Sequence, residues 1–232
     1  MAEVMGMSCD FEGHVVLCGW NARGPHLLSQ LLSSGQRVAV VADPLPEGLP
    51  EGVFFVKGNP SKQEPLIEAG LKKAKSAIIL GGAEDAQAIL TGLAVESIAP
   101  EVYSVMELHD PANERYARYA HVDDVLYADS LIADITGICT HYEGLSSFIK
   151  DILSTADDGH SFASFDVPEE FAGRTVGQLF EHYQSQGLLP VGLTVPPEED
   201  PELPVAQWQS YVDPPLEESI TLPMKVVCIK KN

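Results

Sequence analysis

The feature that most constrains the fold is a regular alternation of short apolar runs with segments of helical periodicity through residues 1–128. Valine-rich runs at 14–19 and 36–43 flank the segment PHLLSQLLSSG. In that segment Pro25 suits the first turn of a helix, and Gly35 supplies a left-handed stop. Because strands alternate with helices of this length, the pattern predicts a Rossmann-like doubly wound parallel sheet, an α/β fold with helices on both faces.

The alternation continues through four further strands and the helices between them. Ser61 followed by Glu64 is the pattern of a reciprocal helix cap and predicts a helix over 61–70. Residues 83–99 place apolar side chains at helical spacing, and Asp110 with Pro111 predicts the start of another helix over 113–121. The four strands are VFFVKG at 53–58, SAIILG at 76–81, VYSVME at 102–107 and DDVLYA at 123–128.

Two apolar-faced helices follow the sheet, over 129–144 and 145–153, with Gly144 between them. A second copy of the chain is the preferred cover for these faces, because a two-fold pair of such helices buries its own stripe. Packing against the chain's own lobes is the alternative. The faces consist of Leu131, Ile132, Ile135, Ile138, Cys139 and Tyr142 in the first helix, and of Leu145, Phe148, Ile149, Ile152 and Leu153 in the second.

A small α+β C-terminal lobe is predicted beyond a linker at 154–161. Its strands are FASFDV, LLPVGLTV and KVVCIK, and Thr175 caps a helix that turns Val176, Leu179, Phe180 and Tyr183 inward. The proline-rich acidic segment 196–204 is predicted to be an exposed loop. The chain therefore divides into a Rossmann-like lobe at 1–128, a helix-turn-helix crossover at 129–158 and a C-terminal lobe at 159–232.

Composition excludes several classes of function. With 34 acidic against 14 basic side chains, the formal net charge is -20, which opposes binding to nucleic acid or to an anionic lipid surface. The four cysteines lie far apart, without the spacing of a zinc or redox site. No apolar run approaches the roughly 18 residues of a membrane helix, so direct membrane insertion is not expected.

The turn after the first strand is the candidate ligand site. A dinucleotide-binding turn reads G-x-G-x-x-G, and this chain has Gly19, then Asn21 in place of the middle glycine, then Gly24. Trp20 and Arg23 lie within the same turn, and Arg23 would compensate phosphate charge. Asp43 ends the second strand about 20 residues on, where an acid accepts both hydroxyls of an unphosphorylated ribose. A compact turn without any ligand is the alternative explanation.

Six stretches of the chain, in order, resemble the RCK family, the regulators of potassium conductance, also called KTN domains. These are HVVLCGW, VKGNPSKQEPLIEAGLKKAKSAIIL and HVDDVLYA in the family's TrkA-N lobe, and FDVPEEFAGRTVGQLFEHYQSQ, GLLPVGL and YVDPPLEESI in its TrkA-C lobe. The resemblance implies a cytoplasmic regulatory domain at the inner face of the membrane, attached to a potassium channel pore or transporter subunit. It also implies a homodimer through helices 129–153 and further assembly into a gating ring, of which an octamer is one form.

The family's ligands include NAD(H), the adenine nucleotides ATP, ADP and AMP, and Ca²⁺ in some channels. The resemblance adds Gly58, Asn59 and Gly81 to the nucleotide-site candidates, with Asn59 standing where the family has an aspartate. Of the acids that hold Ca²⁺ in calcium-activated relatives, only Glu107 remains, because Gly81 and His109 occupy the other positions. Glu84, Asp85 and Asp110 could rebuild such a site, but solvation or helix capping explains each of them.

Catalysis has little support in the sequence. A dehydrogenase needs a proton donor beside the nicotinamide, yet the chain has no Tyr-x-x-x-Lys pair on any predicted helix. None of its seven histidines has an evident acid partner in sequence. A sensor is therefore favoured over an NAD-dependent oxidoreductase. The sequence is also compatible with an assembly module whose nucleotide cleft is empty, and with a divalent-cation sensor.

Overall fold

A computed structural model of the chain describes residues 8–44, 46, 48–82, 84–154, 159–196 and 208–232. Contacts divide the chain into two compact units, Met1–Thr136 and Gly137–Asn232. The predicted crossover at 129–158 thus lies across the boundary between them. Residues 155–158 of the predicted linker and 197–204 of the predicted loop are outside the described residues.

The first unit contains a six-stranded sheet in the order β3-β2-β1-β4-β5-β6, and every neighbouring pair is parallel. The predicted Rossmann-like sheet is confirmed. Its strands are β1 (Val15–Cys18), β2 (Val38–Ala42), β3 (Phe54–Lys57), β4 (Ser76–Ile79), β5 (Tyr103–Leu108) and β6 (Asp124–Tyr127). Four helices follow β1, β3, β4 and β5, in that order: α1 (Gly24–Ser33), α2 (Gln63–Glu68), α3 (Asp85–Ile98) and α4 (Glu114–Tyr119). The described residues between β2 and β3 form no helix.

Strands β1 and β2 are buried on both faces, which explains their continuous apolar sequences. Val16 and Cys18 pack into the core on one face of the sheet, whereas Leu17 packs into the core on the other face with Leu28 of α1. Burial of each such aliphatic side chain stabilises the fold by about 1.5–3 kcal/mol. This rigid centre positions the loops at the carboxyl ends of the strands.

Local signals set most of the helix boundaries, with one correction. Gly35 is left-handed, with φ 74°, and ends α1 as predicted. The predicted Ser61–Glu64 cap is wrong, because α2 begins at Gln63 and its first turn has no side-chain cap. Instead, the backbone amide and hydroxyl of Ser61 both donate to Asn59 Oδ1, at 2.9 Å each. An Asx turn therefore competes with the helix start and delays it.

The chain continues through α5 (Ala128–Cys139) and α6 (Leu145–Ile152), and left-handed Gly144 precedes α6, as predicted. Neither helix buries any residue in the single chain. Tyr142 lies in the turn between them rather than in the first helix. Among the residues that the structure describes, no helix is both long enough and apolar enough to span a membrane.

The second unit contains a four-stranded antiparallel sheet in the order β7-β10-β8-β9. Thr175 and Gln178 form the full capping box of α7 (Val176–Ser185), which confirms the predicted helix start. Val176, Leu179 and Tyr183 are buried beneath this helix. The strands are β7 (His160–Asp166), β8 (Leu189–Val195), β9 (Gln209–Val212) and β10 (Lys225–Lys231), of which β9 was not predicted.

Candidate nucleotide site

The loop after β1 lies at the point where the order of the sheet reverses. Strand β1 pairs with β2 on one side and with β4 on the other. In parallel sheets of this kind, ligands bind in the crevice at the carboxyl ends of the strands on either side of this switch point. The predicted turn, residues 19–24, therefore occupies the position where a ligand is expected.

Gly19 begins the turn in a conformation that suits only glycine. Its φ is 93°, and a Cβ atom placed on it would lie 3.0 Å from the carbonyl oxygen of Leu80. Its amide donates to the carbonyl oxygen of Val41 at 2.8 Å, which extends the pairing of β1 with β2. Gly19 thus turns the chain tightly where β1, β2 and β4 end.

Asn21, at the position of the missing glycine, joins the ends of three strands. Its Nδ2 atom donates to the carbonyl oxygen of Gly81 at 2.8 Å and to Glu107 Oε2 at 3.0 Å. Its Oδ1 accepts from the backbone amide of Arg23 at 2.9 Å. An asparagine amide can donate to a phosphate, but in this structure both amide hydrogens of Asn21 are used within the protein.

Arg23 is also engaged within the protein. Its guanidinium forms an ion pair with Glu107 and lies 3.9 Å from Asp129 in the first turn of α5. The Glu107 side chain is 9% exposed, whereas that of Arg23 is 45% exposed. The carboxylate of Glu107 therefore receives a guanidinium and an amide together, and a cation at this carboxylate would have to displace Arg23.

Gly24 has a role in packing that differs from the one expected of the third glycine. A Cβ atom there would lie 2.8–2.9 Å from three carbons of the Trp20 indole, so the ring lies directly against the first residue of α1. The third glycine of the fingerprint ordinarily allows close packing of helix and strand, whereas Gly24 allows the Trp20 indole to pack against the start of α1. Trp20 is thereby held at the edge of the crevice.

A cleft of 530 Å³ opens beside this loop. Four of the predicted site residues line it, namely Gly19, Trp20, Asp43 and Asn59, and the structure brings them together. The predicted residues Asn21, Arg23, Gly24, Gly58 and Gly81 do not line it, and neither does Glu107. The lining is completed by residues that sequence reasoning missed: Ala42, Pro44, Pro46, Pro60, Leu80, Gly82, Gln87 and Thr91.

Asp43 presents a carboxylate to the cleft at the end of β2. The residue is exposed, and it forms no hydrogen bond or ion pair with any other residue that the structure describes. A carboxylate has about four acceptor positions, which suits a vicinal diol such as that of ribose. This placement agrees with the spacing that identified Asp43 in the sequence.

Asn59 and α3 form the opposite wall. Asn59 Oδ1 accepts from Ser61 and, at 3.0 Å, from Gln87 Nε2. The side-chain oxygen of Asn59 is thus already used within the protein, and its amide nitrogen is the group left to contact a ligand. Gln87 and Thr91 are one helical turn apart, and Thr91 Oγ1 donates to the Gln87 carbonyl oxygen. Two polar residues one turn apart on a largely apolar helix are the sequence signal that could have identified this wall of the cleft.

Asp85 fixes the loop beyond β5. It accepts from the backbone amides of His109 and Asp110 and from the side chains of His109 and Asn113, at 2.8–3.0 Å. Burial raises the pKa of this carboxyl, but the hydrogen bonds from Asn113, Asp110 and His109 outweigh it and lower the pKa to about 2. Asp110 accepts from the amide of Ala112 and caps the short helix Pro111–Asn113 just before α4, rather than the predicted helix over 113–121 itself.

These contacts account for the acids that could have rebuilt a calcium site. Asp85 is surrounded by four donors, and Asp110 caps a helix. Within the described residues, no group of three or more histidine, cysteine, aspartate or glutamate side chains is arranged to hold a metal ion. Glu107 remains a weak metal candidate from the sequence, and Arg23 now occupies its carboxylate.

Comparison with known families bears directly on this lobe. Residues 15–128 match the family model of the TrkA-N domain. The lobe of the six-stranded sheet is therefore similar to a TrkA-N domain. The match covers the sheet from β1 to β6 and includes every residue of the cleft, so the resemblance to RCK proteins predicted from the sequence is confirmed.

Two curated relatives are potassium channel proteins. TvoK of Thermoplasma volcanium, a calcium-gated potassium channel, is 23% identical over 163 residues, which are 66% of this chain and 47% of TvoK. YugO of Bacillus subtilis, a predicted potassium channel protein, is 30% identical over 104 residues, which are 41% of this chain and 32% of YugO. The chain therefore spans less than half of the length of these relatives.

A solved structure supports the same fold over both lobes. The human SLO3 gating ring matches with a TM-score of 0.65 at 12% identity, over 94% of this chain and 44% of that one. At this identity the likeness shows the fold alone. It extends beyond the TrkA-N domain into the C-terminal lobe.

Proposed function

We propose that this chain is a cytoplasmic regulatory domain of a potassium channel or transporter, and that it senses a nucleotide containing adenosine, either NAD(H) or an adenine mononucleotide. The observation that carries the proposal is the cleft in the lobe that matches the TrkA-N model, with the exposed carboxylate of Asp43 at its wall. An acid at this position accepts the 2′- and 3′-hydroxyls of ribose and disfavours a 2′-phosphate.

The loop offers backbone donors for phosphate even though its side chains are engaged. The amides of Trp20, Asn21 and Ala22 form no hydrogen bond with any residue that the structure describes. Backbone amides in such a turn, beside the amino end of a helix, bind anions. A phosphate attached to a ribose at Asp43 would therefore meet donors at the loop after β1.

The cleft is suited to binding rather than to catalysis. Asp43 is the one ionisable side chain among the described residues that line it. A hydride transfer would need a proton donor or acceptor beside the nicotinamide, and the other lining residues are apolar or carry neutral amide and hydroxyl groups. The channel relatives agree with a regulatory role.

Helices α5 and α6 supply the surface through which copies of the chain would pair. Leu131, Ile132 and Phe148 are 52%, 62% and 59% exposed in the single chain. Large apolar side chains that are this exposed on a helix mark an interaction site. We propose that two copies pair through these helices, and that such dimers assemble into a ring attached to a channel pore.

Ligand binding would regulate the ring by shifting its population of conformations. If one arrangement holds the nucleotide more tightly, the nucleotide favours that arrangement by the difference in binding free energy, typically about 1–3 kcal/mol. Arg23 offers a direct route, because it lies in the ligand loop and 3.9 Å from Asp129 at the start of α5. A phosphate that attracts Arg23 would weaken that contact.

Isothermal titration calorimetry of the purified chain with NAD⁺, NADH, ATP, ADP and AMP tests the proposal. At least one of these nucleotides should bind, and Asp43→Ala should weaken its binding by about 1.5–3 kcal/mol, the value of hydrogen bonds to a charged group. Asp10→Ala is the matched control, because Asp10 is an exposed aspartate of the same lobe outside the cleft. If no nucleotide binds, the chain is an assembly module; if Asp43→Ala binds like Asp10→Ala, Asp43 is not the ribose acceptor.

A further inference from the structure

Two carboxylates meet at one buried hydroxyl near the amino ends of β5 and β6, at the edge of the sheet opposite the cleft. Ser104, in β5, is 0% exposed, and its Oγ atom donates to Glu96 Oε1 of α3 at 2.5 Å. The same Oγ lies 3.4 Å from Oδ2 of Asp123, the residue before β6. The Ser104 amide donates to that Oδ2 at 2.8 Å, and the Asp123 amide donates to Ser104 Oγ at 3.1 Å. Ser104 thus joins α3, β5 and the start of β6.

One hydrogen is missing from this arrangement when both carboxylates are ionised. A serine hydroxyl has a single hydrogen, and Glu96 receives it, so Asp123 Oδ2 receives none from the hydroxyl. When Glu96 is protonated, its own O–H can donate to Ser104 Oγ, and the serine hydrogen is released to Asp123. Ser104 Oγ has two acceptor positions, which then serve Glu96 and the Asp123 amide. One added proton therefore supplies the missing hydrogen bond.

The two carboxylates are not neutralised by a nearby cation. Glu96 and Asp123 form no ion pair with any residue that the structure describes, and Lys73 and Arg118, on elements packed against α3, are paired with other acids. Among the charged neighbours, the Asp123 carboxylate is the one that acts on Glu96. The side chains that are charged near neutral pH on the elements packed against α3 are Glu64 and Glu68 of α2, Lys72 and Lys73 of the short helix Leu71–Lys73, Glu107 of β5, and Glu114, Arg115 and Arg118 of α4.

The surroundings of Glu96 therefore favour its protonated form. Burial raises the pKa of this carboxyl, the hydrogen bond from Ser104 lowers it, and the charge of Asp123 raises it, so that the pKa is about 7 against an ordinary 4.5. Asp85, in the first turn of the same helix, is instead held in its ionised form by hydrogen bonds from the segment after β5. Helix α3 is thus attached near one end by a carboxylate that stays charged and near the other by one that titrates.

We propose that Glu96, Ser104 and Asp123 form a proton-responsive anchor of α3. A proton on Glu96 strengthens the attachment of α3 to β5 and to the start of β6, and its loss leaves two carboxylates that repel each other across one hydroxyl. The same helix carries Gln87 and Thr91 at the wall of the cleft, so the anchor holds the element on which that wall is built. The anchor goes beyond the proposed function and holds whether or not the cleft binds a nucleotide.

Urea denaturation of the whole chain at steps from pH 5 to pH 8 tests the anchor. Because the folded state binds this proton more tightly than the unfolded state, the contribution of Glu96 to stability falls as the pH rises from 4.5 to about 7 and is constant above that. Glu96→Gln has no proton to lose, so its urea midpoint minus that of the wild type should increase between pH 5 and pH 8. Glu101→Gln, at an exposed acid just before β5, is the control and should give a difference that does not change with pH. A difference for Glu96→Gln that is the same at pH 5 and pH 8 would overturn the proposal.

Direct titration of the wild-type carboxyl decides the question even if Glu96→Gln does not fold. The side-chain carboxyl carbon of Glu96, followed by NMR, should titrate with a midpoint of about 7. Asp123→Asn should lower this midpoint, because it removes the neighbouring negative charge. A wild-type midpoint closer to 4.5 than to 7, or a midpoint that Asp123→Asn leaves unchanged, would contradict the proton-responsive anchor.

Discussion

Asp85 shows how a single buried carboxylate organises the rim of the candidate site. It begins α3, is 7% exposed and accepts four hydrogen bonds from the segment that follows β5. Two of its donors are backbone amides, at His109 and Asp110. The loop after β5 is therefore fixed to the start of the helix that carries Gln87 and Thr91.

Replacement of this carboxylate should cost stability in a manner that depends on pH. The pKa of Asp85 is about 2 in the folded chain, below its ordinary value of 3.8. Its ionised form therefore stabilises the fold above about pH 4, and this contribution is lost as the pH falls through the folded pKa. We expect Asp85→Asn to lower the free energy of unfolding at pH 7 by about 1.5–3 kcal/mol, because the amide nitrogen cannot accept.

Urea denaturation of the wild type and Asp85→Asn at pH 7, and at steps from pH 4 downward, measures this effect. The difference in the free energy of unfolding should shrink as the pH falls toward 2. Glu101→Gln is the control, since Glu101 is an exposed acid at the opposite end of β5. Equal stability of the two variants at pH 7 would contradict the account of Asp85.

Residue spacing predicted part of the candidate site, and long-range contacts determined the rest. Gly19 and Asp43 were identified because they end the first two strands, and such positions meet at one edge of a parallel sheet. The partners of Asn21 lie 60 and 86 residues away, so its bridging role could not be derived from spacing. Arg23 was expected to compensate phosphate charge. Its partner in the structure is Glu107 of β5, four strands later in the chain, and spacing alone could not reveal that pair.

At the scale of elements, the pattern of burial decided which segments were predictable. Strands β1 and β2 are fully buried, and their continuous valine runs identified them. Strand β9 has four exposed residues at the edge of the second sheet, so no apolar alternation marks it. The start of α2 was placed at Ser61 because the cap pattern was correct locally, but Asn59 competes for the same serine.

Helices α5 and α6 carry the prediction that belongs to this scale. Phe148→Glu places a charge on the exposed apolar face of α6. The cost of burying that charge in an interface should separate a dimer into monomers. Size-exclusion chromatography with light scattering gives the mass of each variant. We expect a dimer or larger ring for the wild type and a monomer for Phe148→Glu.

Tyr119→Glu is the matched control for this experiment. Tyr119 is an aromatic residue of α4, 76% exposed and outside the α5–α6 face. Its substitution should leave the mass unchanged. A monomeric wild type, or a Phe148→Glu variant that retains the wild-type mass, would refute pairing through these helices.

At the scale of the whole molecule, the cleft proposed to bind a nucleotide and the helices proposed to pair belong to one chain. This chain spans less than half of the length of the potassium channel relatives that it matches. The net charge of -20 opposes binding of a polyanion, whereas a small nucleotide can bind where backbone amides are directed at its phosphate. In the proposed function, the occupied cleft influences neighbouring copies through α5 and α6.

The most direct test of nucleotide sensing is a crystal structure of the chain grown with saturating ADP. We expect ribose hydroxyls within about 2.6–3.2 Å of the Asp43 carboxylate. We also expect phosphate oxygens against the amides of residues 20–22 and no change in the Asn21 contacts to Gly81 and Glu107. A cleft that holds only solvent at saturating ADP, or ADP bound away from Asp43, would contradict nucleotide sensing at this site.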